Sequence, residues 1–139
     1  MAQDIKKIIA QEYLKCGKDP AYFMKKYCHI QHPTRGRILF NLYPFQEKVL
    51  HLFRDNQYII TLKSRQLGIS TLAAAYSLWL MLFHKDKNVL ALATTQATAR
   101  NLVTKVIFMY DELPKWLKLP HVEKNKLSLR LKNGSKIQA

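Results

Sequence analysis

Acidic residues are scarce in this chain: 9 aspartates and glutamates stand against 23 lysines and arginines, for a formal net charge of +14. A surface charged only for solubility is the plainer reading of such a balance, but mixed signs are more usual there. The excess points to a polyanionic partner, nucleic acid first. Cysteine is scarce too. Cys16 and Cys28 are the only two, which is too few for a disulfide framework, so a reducing compartment is expected. Cys28-His29-Ile-Gln-His32 offers one arm of a zinc site and lacks the second. No N-terminal signal is expected, because Met1-Ala-Gln-Asp-Ile-Lys-Lys is polar and no apolar core follows it. The apolar run from Leu72 to Phe83 is too short for a bilayer and carries Tyr76 and Ser77, so it reads as a core helix and no membrane partner is expected. Internal repeats and low-complexity tracts are absent.

The remainder is that of a globular chain. Hydrophobic residues make up 48%, enough to exclude a disordered tail, and 139 residues suit one domain with a real core. The organising stretch runs from Tyr58 to Thr71. Tyr58-Ile-Ile-Thr-Leu62 is apolar and β-branched and predicts a buried parallel strand. A polar loop follows, Lys63-Ser64-Arg65-Gln66-Leu67-Gly68, and then Ile69-Ser70-Thr71 opens the Leu72–Phe83 helix. Strand, glycine loop, hydroxyl pair and helix form the layout of a phosphate-binding P-loop. The match to G-x-x-x-x-G-K-[ST] is partial. Gly68 takes the second glycine and Ser70 the magnesium-binding hydroxyl, but Lys63 stands at the first glycine and Ile69 at the lysine. Any missing positive charge must then come from Lys63 or Arg65. An ordinary strand-to-helix turn with one glycine would show the same letters.

Elsewhere the pattern predicts a helix over residues 3–16 and a second one opened by Asp19-Pro20, Asp as cap and Pro at the first position. These two helices form an accessory segment, residues 1–36, ahead of the main domain at 37–139. His32-Pro-Thr-Arg-Gly-Arg37 is a basic loop leading to an extended stretch at 38–42. Pro44 opens a helix to about Phe53. Val89–Ala93 predicts a second buried strand, followed by a helix capped at Thr94 or Thr95. With Tyr58–Leu62 it would build a βαβ unit with a right-handed crossover. Leu113–Pro120 is a Pro-bounded linker or single turn. Leu127–Leu131 alternates, and Asn133-Gly134 turns it into Ser135-Lys-Ile137, a hairpin.

Several of these stretches, in this order, resemble one family: the large terminase subunit of tailed bacteriophages, an ATP-driven DNA-packaging motor with a nuclease domain. Ser64-Arg65-Gln66-Leu67-Gly68 with Ser70-Thr71 resembles its Walker A loop. Phe45-Gln46 resembles its adenine-recognition motif. Asn88–Thr94, Leu113–Leu117 and the hairpin at Asn133-Gly134-Ser135 resemble its following segments. The resemblance covers roughly residues 40–139, and some family members carry the Walker lysine at the start of the loop, where Lys63 stands. It implies a P-loop NTPase-type α/β fold, a parallel sheet with flanking helices, here incomplete because the chain stops before a Walker B strand. The two N-terminal helices precede it. It implies ATP and Mg2+ as cofactors. Gln46 would bond the adenine edge and Phe45 wall the base. Ser64, Gln66, Gly68, Ile69, Ser70 and Thr71 would cradle phosphates, with Ser70 on magnesium. Lys63 and Arg65 would stabilise charge on the transferred phosphoryl group. It implies double-stranded DNA, a portal protein and a small terminase subunit as partners. The setting would be the host-cell cytoplasm and not the mature virion. Without its neighbouring strand, the chain is expected to self-associate and not to turn over ATP by itself. Two alternatives stay open: a fragment of a helicase-like P-loop ATPase, or a non-catalytic basic module that binds nucleic acid by charge.

Overall fold

The helix at Ile69–Phe83 (α4) is apolar on almost every side, and a helix of that kind must be surrounded. The computed structural model describes residues 2–139 and gives it that position. Two helices precede the first strand, Ala2–Lys18 (α1) and Pro20–Tyr27 (α2). Strands His29–His32 (β1) and Gly36–Leu39 (β2) form an antiparallel hairpin, and the helix Pro44–Asp55 (α3) leads toward α4. Beyond α4 come Asn88–Leu90 (β3), the helix Gln96–Asp111 (α5), and strands His121–Lys124 (β4), Ser128–Leu131 (β5) and Lys136–Gln138 (β6). Over the described residues the fold is mixed α/β, with five helices and two small sheets.

Leu72, Leu78, Met81 and Leu82 of α4 are buried against Phe23 and Met24 of α2, Leu50 of α3, and Val103, Val106 and Met109 of α5. Polar tips close the joints. Trp79 Nε1 donates to the Cys16 carbonyl at 2.8 Å, and Tyr76 Oη donates to the Phe53 carbonyl at 3.3 Å. Asp19 caps α2, its side chain accepting from Ala21 N at 2.9 Å, with Pro20 in the first turn. Thr95 caps α5 by accepting from Thr98 N. Leu117 N and Lys118 N both bond the Pro114 carbonyl, so the Pro-bounded stretch is a single turn. No described helix is long and apolar enough to cross a membrane.

The larger sheet runs β3-β6-β5-β4. Only β3 and β6 are parallel, so the sheet is mixed and not the parallel one expected. Tyr58–Leu62 is the main departure. It is extended chain, pairs with no described strand, and leaves Ile60 99% and Leu62 101% exposed. The predicted βαβ unit therefore does not form. The far end of α4 is tied to the hairpin instead. Asn133 Nδ2 donates to the carbonyls of Met81 and His84, and Ser135 Oγ donates to His84 O. The turn thus satisfies orphan carbonyls at the C-terminus of α4 and is anchored there. Anchoring lays β6 beside β3, with Lys136 N bonded to Lys87 O and Ala91 N to Gln138 O. One edge of β3 is then taken by β6, and nothing in the described chain draws 58–62 to the other. Two elements were not anticipated, β1 and β4. The expected boundary between residues 36 and 37 falls inside β2.

Candidate functional site

Two stretches twenty or so positions apart meet at the start of α4. Gln46, in the first turn of α3, is 2% exposed. Its Oε1 accepts from Tyr43 N and its Nε2 donates to the Leu67 carbonyl, both at 3.0 Å. The first bond is half of a capping box at the start of α3. The second ties α3 to the glycine loop. Gly68 follows with φ of 70°, a left-handed conformation that a side chain resists. A Cβ on Gly68 would stand 2.6 Å from Gln46 Nε2. Glycine is needed here twice over, for the dihedral and for the close approach of the glutamine.

Around this junction lies a cleft of about 630 Å³, bordered by the β1–β2 hairpin, Asn41, Tyr43, Phe45 and the loop at Gln66–Gly68. The rings of Tyr43 and Phe45 stack, centroids 5.7 Å apart and planes within 6°, and both are exposed. Such a pair offers a flat face to a planar ligand. Gln46 borders the same cleft, with its amide engaged at both ends, and so joins the two stretches.

The first turn of α4 carries no side-chain cap and no acidic residue, and Gly68 stands at its cap position. The amides of that turn are therefore open to an anion. Ser70 is exposed, borders a second cleft of about 520 Å³ with Ala91, Thr98 and Lys105, and makes no side-chain hydrogen bond among the described residues. Thr71 Oγ1 accepts from Lys105 Nζ at 3.1 Å. Ile69 is half-buried and packs against the core, as an aliphatic side chain would. Ser64, Lys63 and Arg65 lie on exposed chain ahead of the helix. Lys63 Nζ reaches only the Ser64 carbonyl, at 3.4 Å, and Gln66 is left-handed at φ 61°.

No protein-family model matches the chain. Of the residues singled out from sequence, Phe45, Gln46, Gln66, Gly68, Ser70 and Thr71 gather at the α3–α4 junction and its two clefts. Lys63, Ser64 and Arg65 border neither cleft. Tyr43, Asn41 and Lys105 are the additions. Tyr43 stands two positions from Phe45 in the sequence, but its exposure and its stacking on that ring come from the fold. Lys105 was not legible, because its place beside Thr71 depends on how α5 packs on α4.

Proposed function

We propose that this chain is the ATP-binding part of a DNA-packaging motor of the large terminase type, built on a P-loop fold and coupling ATP hydrolysis to DNA translocation in the full-length protein. The observation that carries the reading is the bond from Gln46 to the Leu67 carbonyl. It joins the two stretches that resemble the adenine motif and the Walker A loop around one cleft. A base would lie against the Tyr43 and Phe45 rings. The phosphates would meet the uncapped amides of Ile69 and Ser70 at the positive end of the α4 dipole. Gln46 would act by fixing the loop relative to the aromatic pair.

Magnesium fits this arrangement. A hard cation that keeps most of its water needs one or two protein oxygens beside the phosphates, and the free Ser70 hydroxyl is one. When bound, the ion would neutralise phosphate charge. Lys63 and Arg65 would approach the terminal phosphate from the exposed chain, and double-stranded DNA would be held by the cationic surface.

Titration of a fluorescent ATP analogue with magnesium tests the reading. Saturable binding is expected, weakened by Tyr43→Ala and Phe45→Ala, with unlabelled ATP competing. DNA binding with no detectable nucleotide binding would favour the basic-module alternative and overturn this one.

A further inference from the structure

The outer face of the larger sheet sets two cations against each other. Leu129, Leu131 and Ile137 are buried on the inner face, so Arg130 of β5 and Lys136 of β6 stand on the opposite one. The two are direct register partners. Like charges placed opposite each other in this way destabilise a sheet. β5 and β6 are its two central strands, so the charges do not serve to guard an edge. In the same row Asn88 partners Lys136, and Glu123 partners Arg130. Glu123 does not form an ion pair with Arg130 among the described residues. Its Oε1 accepts from Ser128 Oγ at 2.5 Å and from Asn125 Nδ2 at 2.7 Å.

More cations border this row. The loop Lys85-Asp86-Lys87 is bound to the β5–β6 turn, with Asp86 N donating to Asn133 O at 3.2 Å and Lys87 N to Ser135 Oγ at 3.1 Å. Lys132 opens that turn, and Lys85, Lys87 and Lys132 are all exposed. Basic residues beside a helix C-terminus ordinarily bond its last carbonyls. Here Asn133 and Ser135 hold the carbonyls of Met81 and His84, and the lysines are left out. Elsewhere cations find carboxylates: Lys26 meets Glu12, Arg54 meets Asp55, and Lys118 and Lys124 share Asp111. Among the described residues, Lys85, Lys87, Arg130, Lys132 and Lys136 form no such pair.

We propose that this sheet face and the turn beside it are the surface that grips the phosphate backbone of duplex DNA. The proposal gives a place to the DNA contact in the reading above and does not depend on nucleotide. A phosphate seated between Arg130 and Lys136 would relieve their repulsion, the guanidinium offering a fork and the ammonium a point charge. Lys85, Lys87 and Lys132 would take neighbouring phosphates. The backbone that carries them is already fixed by the bonds to α4, so little ordering remains to oppose binding. Backbone contacts of this kind set affinity and carry no sequence preference.

The test is fluorescence anisotropy of the whole chain with two labelled duplexes of unrelated sequence, over a salt series. Thermal melts establish that each variant is folded. The double variant Arg130→Gln with Lys136→Gln is expected to weaken both duplexes alike and to lower the salt slope by about two. Lys85→Gln with Lys132→Gln, which lies off the strand ladder, is expected to do the same. Lys6→Gln with Lys7→Gln removes the same charge from exposed positions of α1 and is expected to change the slope far less. Glu123→Gln keeps an acceptor for Ser128, removes a repelling charge, and is expected to tighten binding. Equal losses in the α1 control would mean that net charge alone binds DNA, and this proposal fails while DNA binding stands. Weaker binding by Glu123→Gln would overturn it as well. A wild-type chain that leaves both duplexes unbound at low salt overturns this surface and the DNA contact together.

Discussion

Gly68 is the residue on which the site turns. Its positive φ and the nearness of Gln46 Nε2 leave no space for a Cβ. Gly68→Ala should destabilise the chain by at least about 1–2 kcal/mol from the dihedral alone, and more if Gln46 loses its bond to Leu67. A urea midpoint unchanged by the substitution would show that the loop relaxes freely. Glu12 decides the acid limit of the N-terminal helices. Its Oε1 takes hydrogen bonds from Lys26, Tyr22 and Tyr27, which hold its carboxyl down at about 2 against an ordinary 4.5. A lowered folded value stabilises the fold above the unfolded value and loses that contribution as pH falls from 4.5 through about 2. Glu12→Gln should therefore flatten the fall in thermal midpoint over that window, and a parallel fall in both proteins would refute the assignment. Burial pushes the Cys16 thiol up to about 11 and the Cys28 thiol up as well, so neither is a reactive thiolate at neutral pH.

At the scale of elements, what was legible followed from local chemistry. Asp19-Pro20, Pro44, Thr95 and Asn133-Gly134 each specify a helix start or a turn within a few residues, and the structure has a helix start or turn at each. Tyr58–Leu62 was misread because β-branched residues say that a segment suits a pleated neighbour, not that the neighbour is there. Within the site, Gly68 was singled out by the spacing of the glycine loop, and Phe45 only through the resemblance. The engagement of Gln46 and the reach of Lys105 depend on packing between helices far apart in sequence. The exposed stretch has its own consequence. Uncharged, apolar and unpaired, it is a template for intermolecular strand pairing. Ile60→Lys should reduce self-association in sedimentation while shifting stability by no more than about 0.5 kcal/mol, since Ile60 buries nothing. A large loss of stability would mean the side chain packs where the structure leaves it exposed.

For the whole molecule, the excess of cations over carboxylates sets the behaviour toward polyanions. Among the described residues, ion pairs take up some of them, such as Arg37 with Glu112 and Lys25 with Glu47. DNA binding is expected to be weak, indifferent to sequence and steeply salt-dependent, because released counterions supply most of the free energy. Equal affinity at low and high salt, or strong preference for one duplex, would count against it. The two tryptophans sit at separate joints: Trp116 edge-on to Tyr27, and Trp79 in the bond that seats α1 on α4. The indole of Trp79 is 5% exposed and lies beside the stacked ring of Tyr76. The molecule thus carries a native optical reporter at the α1 junction. If α1 lifts away, that indole meets water and its emission moves to longer wavelength, whether or not the rest of the fold has opened.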